Sequence, residues 1–232
     1  MDDKFPGFSP DLFKFLTELK KNNNRDWFNE HKERYINSVA NPMCDFVAAM
    51  GPRLAKISRY YVADPRRHGG SMFRIYRDAR FSKDKRPYKE HVGCQFRHAA
   101  GKDAHAPGFY AHFESDNIRV GGGIWMPPSD VLFKIRTAIA ENPDEWQKII
   151  NSKGFKNRFG EIRGDQLIRP PRGFDKEHSM IDELKRKSFF VMQPIDPALT
   201  LTPKFISEVE RIFKAASPMM AFLTNAVELK YN

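Results

Sequence analysis

A chain of 232 residues can bury roughly 70% of its unfolded surface, so its core needs no disulfide or metal staple. With 41% hydrophobic and 13% aromatic residues, the composition excludes a disordered chain. A net charge of +10 points to anionic partners, and no apolar run approaches the ~20 residues of a membrane-spanning helix.

The elements read as follows in chain order. Ser9-Pro10-Asp11 is a helix cap with proline at the first position, and Leu12, Phe15, Leu16 and Leu19 repeat as one buried stripe. Asn22-Asn23-Asn24 ends that helix and caps a second, with Trp27, Phe28, His31 and Tyr35 on one face. Pro42 opens a third, with Met43, Phe46, Val47, Met50, Leu54 and Ile57 inward and a kink expected at Gly51-Pro52. From Ser71 the period changes to two. Phe73 and Ile75 predict a short strand with a core face, its other face carrying Arg74 and Tyr76.

Val92, Cys94 and Phe96 predict a second strand, and Phe109, Ala111 and Phe113 a third. Ser115-Asp116-Asn117 turns the third into a return strand carrying Ile118, Val120 and Ile124. Strands this close in sequence predict antiparallel pairing. Pro127-Pro128-Ser129 caps a helix with Val131, Leu132, Ile135 and Ile139 inward. Asn142-Pro143-Asp144 caps another around Trp146, Ile149 and Ile150. The Gly-, Pro- and Arg-rich stretch 154–178 reads as irregular. A short helix over Met180 to Arg186 then precedes a strand from Phe189 to Ile195. Thr202-Pro203 caps a long terminal helix with Phe205, Ile206, Val209, Ile212 and Phe213 inward, which Pro218 is expected to break or bend. The fold class is α+β, an antiparallel sheet with helices packed on it. The whole of 1–232 reads as a single domain: helical 9–58, sheet-rich 71–126, helices 129–152, a strand at 187–195 and terminal helices 203–229.

The run Phe73-Arg74-Ile75-Tyr76-Arg77-Asp78-Ala79-Arg80-Phe81-Ser82-Lys83-Asp84-Lys85 resembles a bacterial and fungal family known as domain of unknown function 2461. Phe8 to Leu12, Asn24 to Phe28, Pro87-Tyr88-Lys89 with His91, Gly121 to Trp125, Arg172 to Asp175 and Lys187-Ser188-Phe189 also match, in the same order. The resemblance covers nearly the whole chain and implies one domain. It carries no catalytic residue over.

Seven of the ten excess positive charges fall between Arg66 and Arg97. Guanidinium groups there bind carboxylate or phosphate through paired hydrogen bonds, and the lysines add mobile charge. Arg74, Tyr76, Arg77, Asp78, Arg80, Lys85, Lys89 and His91, together with Trp125, are therefore candidate ligand-binding residues. The competing reading is a set of internal ion pairs that fixes a long loop.

Tyr110, His112 and Glu114 are spaced by two, so they align on one strand face. They are candidate catalytic residues for acid–base work, and the same spacing with His91 suits a metal less well than a structural His–Glu hydrogen bond. No metal site is expected, and the cofactor is left open. Gly121-Gly122-Gly123 permits close approach of a ligand or another backbone, and a bulge or bend beside a packed Trp125 is expected. No phosphate-binding glycine loop and no Gly-x-Ser-x-Gly elbow is present.

Cys44 and Cys94 stand far apart in unlike contexts, and the start of the chain has no apolar stretch. Both features fit a reducing cytoplasm and no signal peptide. Three function classes follow. The first is a pocket for an anionic small molecule, with the arginines, His112 and Glu114 in one cleft. The second is a nucleic-acid binder with Tyr76, Phe81 and Tyr88 interleaved among cations. The third is a protein-binding module exposing an apolar patch near Met219-Met220. No membrane partner is expected, and the oligomeric state is open.

Overall fold

The computed structural model describes residues 5–78, 80–101 and 105–232. Ala79, inside the basic run, lies outside the described residues. Helix α1 (Pro10–Lys21) begins where Ser9 Oγ accepts the Asp11 amide at 3.2 Å, and it buries Leu12, Phe15, Leu16 and Leu19 completely or nearly so. Asn24 Oδ1 accepts the Trp27 amide at 3.0 Å and so starts α2 (Arg25–Glu30). Trp27 stacks on His31 at 4.1 Å, while Phe28 and Tyr35 turn inward. Helix α3 (Lys32–Tyr35) runs through a π-helical turn (Ile36–Ala40) into α4 (Asn41–Ala55), which continues through Pro52 with Met43, Phe46, Val47, Met50 and Leu54 buried.

Five strands follow, β1 (Tyr61–Val62), β2 (Val92–His98), β3 (Gly108–Phe113), β4 (Ile118–Ile124) and β5 (Phe189–Ile195). All pair antiparallel, and their order in the sheet is their order in the chain. The β3–β4 turn closes where Glu114 N–H donates to Asn117 O at 3.2 Å. Alternation puts Cys94, Phe96, Phe109, Ala111, Phe113, Val120 and Val191 on one face, all fully buried.

Helix α10 (Lys204–Ala226) lies against that face, and Phe213 stacks on Phe109 at 4.6 Å. Phe8, Phe46 and Phe205 close around Phe113 with ring centroids 5.0–5.9 Å apart. Side chains of this kind stabilise the fold by about 1.5–3 kcal/mol each when fully buried. The remaining helices, α5 (Ser129–Glu141), α6 (Pro143–Ile150), α7 (Lys153–Phe159), α8 (Ile181–Leu184) and α9 (Pro197–Thr200), fill the excursion before β5 and the link after it. Arg163 N–H donates to Phe190 O at 2.8 Å, so the segment after α7 runs along the outer edge of β5. An edge so covered does not invite another strand.

Several expectations are corrected. The stretch from 154 is not wholly irregular: Ser152 Oγ accepts the Phe155 amide at 3.3 Å and starts α7, which buries Phe155 and Phe159. Asn142 does not cap α6 through its side chain; its Nδ2 instead donates to Ala138 O at the end of α5. Pro218 does not break α10. It sits on the exposed side with Lys214, so the carbonyl that loses its partner faces water, while 11 buried residues hold the rest.

Met219 and Met220 are fully buried, which removes the apolar patch expected there. The segment 71–77 is extended but makes only isolated bridges, Met72 to Cys94 and Tyr76 to Tyr88. Ile75 is buried as expected, whereas Phe73 lies on the opposite side of the sheet from the core. Its amide donates to Gly93 O, and Gly93 pairs in register with His112 on the face away from the core. Among the described residues no helix is long and apolar enough to cross a membrane.

Candidate functional site

The face of the sheet away from α10 is open and organised in three rows. Gly93, His112, Arg119 and Pro194 are in register across β2–β5. Gln95, Tyr110, Gly121 and Met192 form the next row, and Gly108, Gly123 and Phe190 the third. Rows lie about 6.6 Å apart along the strands, and strands about 4.8 Å apart across them. Over them lies a cleft of about 1020 Å³, bounded by Phe73 and His91 on one side and by Trp125, Met126, Pro127 and Pro128 on the other.

Glycines make this floor bare. A Cβ at Gly121 would stand 1.8 Å from Val191 O, and one at Gly123, whose φ is +140°, would stand 2.2 Å from Phe189 O. The backbone of β5 therefore crowds β4 on this face, and no side chain fits at either position. The register is unbroken through all three glycines, so the bulge expected there is absent. Trp125 is not packed but 75% exposed. The next residue explains this: Met126 takes a left-handed φ of 48°, and its amide donates to the buried Ser188 Oγ at 2.8 Å, turning Trp125 outward over the cleft.

At the other end, alternation and register bring His91, Tyr110, His112 and Glu114 together. The His91 and His112 rings lie 4.5 Å apart. Tyr110 Oη and His112 Nδ1 are 3.2 Å apart, and His112 Nε2 is 3.6 Å from Glu114 Oε2. Glu114 also meets Lys20 Nζ at 3.4 Å and Asn117 Nδ2 at 3.5 Å. Burial raises the Glu114 carboxyl, but Lys20, Asn117 and His112 outweigh it and hold the group below its usual value.

Burial lowers His91 to about 4, with His112 and Lys89 adding repulsion. Burial also lowers His112, against the pull of Glu114. Tyr110 is pushed up to about 12, again mainly by burial. At neutral pH the set is therefore a carboxylate, two neutral imidazoles and a phenol. With Glu114 ionised, the His112 proton belongs on Nε2, leaving Nδ1 to accept from the Tyr110 hydroxyl. Among the described residues no three His, Cys, Asp or Glu side chains are grouped to hold a metal ion.

Cations complete the cleft. Arg97 is half-buried, its guanidinium 5.7 Å over Phe73 and its Nε donating to Gln95 Oε1 at 3.1 Å. Arg119 Nε donates to Asn117 Oδ1 at 2.6 Å. Neither has a carboxylate partner among the described residues. Both were missed as site residues, although each alternates with core residues and so had to face outward with His112.

The arginine run does not enter this cleft. Arg74, Tyr76, Arg77, Asp78, Arg80 and Lys85 line a separate groove of about 670 Å³, to which Arg25 and Asn29 of α2 also belong. Lys89 sits on the ridge between the two, its Nζ 5.4 Å over Phe73 and 2.9 Å from Arg74 O. The expectation of a single cleft is thus replaced by two, because Phe73 and Arg74 point to opposite sides of the ridge. Part of the run is internally paired, as the competing reading anticipated. Asp84 accepts from Arg77 at 2.5 Å and from Arg86 at 2.7 Å, Arg86 reaches Glu90, and Arg80 pairs with Asp78 at 2.8 Å. Tyr88 is buried and offers no exposed ring.

The sheet, its helical backing and this geometry define an α+β protein with a cleft of small-molecule size on the open face of an antiparallel sheet. Within that class, the chain belongs to the family described as Conserved hypothetical protein (DUF2461), which matches residues 11–222. No curated protein and no solved structure matches it.

Proposed function

We propose that the protein binds a small anionic molecule with an apolar body in the sheet-face cleft and performs acid–base chemistry on it. The observation that carries this reading is the convergence, over one glycine floor, of Arg97, which has no carboxylate partner among the described residues, with the Tyr110–His112–Glu114 chain. Arg97 is stacked and tethered through Nε, so its terminal nitrogens are pre-aimed for a carboxylate or phosphate. The apolar body lies over Gly121 and Gly123 against Trp125, Met192 and Phe190. Tyr110 Oη, its own proton directed at His112 Nδ1, then takes a proton from the ligand as His112, held by Glu114, takes up the Tyr110 proton, and the reverse shift returns it. Arg119 supplies a second cation beside His112.

A thermal-shift screen against small carboxylates and phosphate monoesters tests the reading. A ligand at a hundredfold its dissociation constant stabilises by about 2.7 kcal/mol, or roughly 5–10 °C for a chain of this size. The shift is expected to vanish in Arg97→Ala and to persist in Tyr110→Phe, which loses turnover instead. No shift with any compound, or an equal shift in Arg97→Ala, overturns the assignment.

A further inference from the structure

The second groove has a different character from the cleft. Arg25 and Asn29, one helical turn apart on α2, face Arg74, Arg77 and Arg80 across it. Arg25 and Arg74 are exposed, and neither side chain has a hydrogen bond or an ion pair among the described residues. The Asp84 pairs with Arg77 and Arg86 instead hold the loop that forms the far wall.

Two aromatic rings stand in this basic setting. Tyr76 is 48% exposed, yet its inner edge is fixed against Phe28 at 6.1 Å and Tyr88 at 5.4 Å. Phe81 is 95% exposed, with the Arg80 guanidinium 5.8 Å from its ring. It does not line the groove itself but stands beside Arg80, which does, and it buries almost none of its ring in the fold.

We propose that this groove binds single-stranded nucleic acid, Arg25 and Arg74 contacting successive phosphates while Tyr76 and Phe81 stack on bases. Free guanidinium groups supply the sequence-independent attraction to phosphate, and ring faces accept any base once it is unstacked. A duplex keeps its bases stacked and offers nothing to either ring. The site is separate from the sheet-face cleft and stands or falls independently of it.

The test uses the full chain and a fluorescein-labelled oligothymidylate of fifteen nucleotides, with anisotropy read at 50–200 mM salt. Binding is expected to fall steeply with salt, and the double variant Arg25→Ala/Arg74→Ala to lower the log–log salt slope by about 1.4, at ~0.7 per phosphate contact. Tyr76→Ala is expected to weaken binding at least about fivefold without changing that slope, and Tyr76→Phe to restore it. Arg169→Ala/Arg172→Ala removes the same charge from exposed positions outside the groove and is expected to leave the affinity unchanged, as is Arg97→Ala in the cleft. All these side chains except Arg97 are exposed, so unchanged melting curves certify the fold. No binding at 50 mM salt, equal losses in the Arg169/Arg172 control, or a Tyr76→Ala variant that binds as wild type would each overturn the proposal.

Discussion

Replacing Gly121 with alanine adds one methyl group to a strand in the middle of the sheet. Its Cβ would lie 1.8 Å from Val191 O, 2.7 Å from Val191 C and 2.9 Å from Met192 Cα. All three are backbone atoms of β5, so no rotamer change relieves the contact. The oxygen must retreat by more than 1 Å to reach the ~3.3 Å of an ordinary carbon–oxygen contact. Moving it displaces a strand anchored by Phe189 and Val191 in the core and by the Arg163 amide at its edge. Overpacking of this kind costs typically 1–3 kcal/mol, and a backbone clash belongs at the top of that range. For a chain of this length about 3 kcal/mol lowers the melting temperature by roughly 6–12 °C. Urea and thermal denaturation of G121A, beside G154A as a control, measure it. Gly154 has open space where its Cβ would be, so alanine there is expected to be neutral or mildly stabilising. A G121A protein melting within a degree of wild type would show that β4 and β5 do not approach as described.

Other outcomes follow from the same structure. Gly93→Ala places its Cβ 2.6 Å from Tyr110 Oη, the free end of a side chain that swings away; a cost of about 1 kcal/mol is expected, with loss of the Tyr110–His112 contact. An unchanged His112 Nδ1 resonance in that variant would refute the link. His91 titrates near 4 when folded and near 6.5 when unfolded, so between those values the unfolded chain binds the extra proton. Stability is therefore full above about pH 6.5 and falls as pH drops towards 4, by no more than about 2 kcal/mol after screening at a half-buried ring. Urea midpoints at pH 7.5 and 4.5 should differ less in His91→Gln, and an identical difference in both proteins would rule out His91 as the cause. Asp84→Asn removes the carboxylate shared by Arg77 and Arg86, and limited trypsin digestion within 80–86 should accelerate.

Much of this was readable from residue spacing. The period of two from Phe109 to Ile124 gave the hairpin, its turn and the shared face of Tyr110, His112 and Glu114, because one buried face fixes register. The caps at Ser9 and Asn24 gave the first two helices. What eluded the sequence depends on tertiary neighbours. Trp125 stands among the ligand-binding candidates, yet the glycines beside it suggested a packed ring; only the tie between Met126 and Ser188, 62 residues apart in the chain, turns it outward. The arginine run looked like one site because no spacing rule tells which side of a ridge Phe73 and Arg74 take. Helix α7 was hidden by Gly154 and by the low apolar content around it, and its stability comes from Phe155 and Phe159 docking.

The triple glycine also bears on how the sheet assembles. Strands β2 to β4 join through short connections, but β5 reaches β4 only after a long helical excursion, with Ile124 opposite Phe189 and Ile118 opposite Ile195. Such a late partner meets a waiting edge and can dock in more than one alignment. A slip of two residues keeps every core side chain facing inward, so hydrophobicity alone does not forbid it. It would, however, bring the Cβ of Arg119 or Trp125 to a place beside the β5 carbonyls where even a methyl group collides. The glycines thus act as a notch that admits β5 in one alignment, and the site on the open face inherits its geometry from that choice.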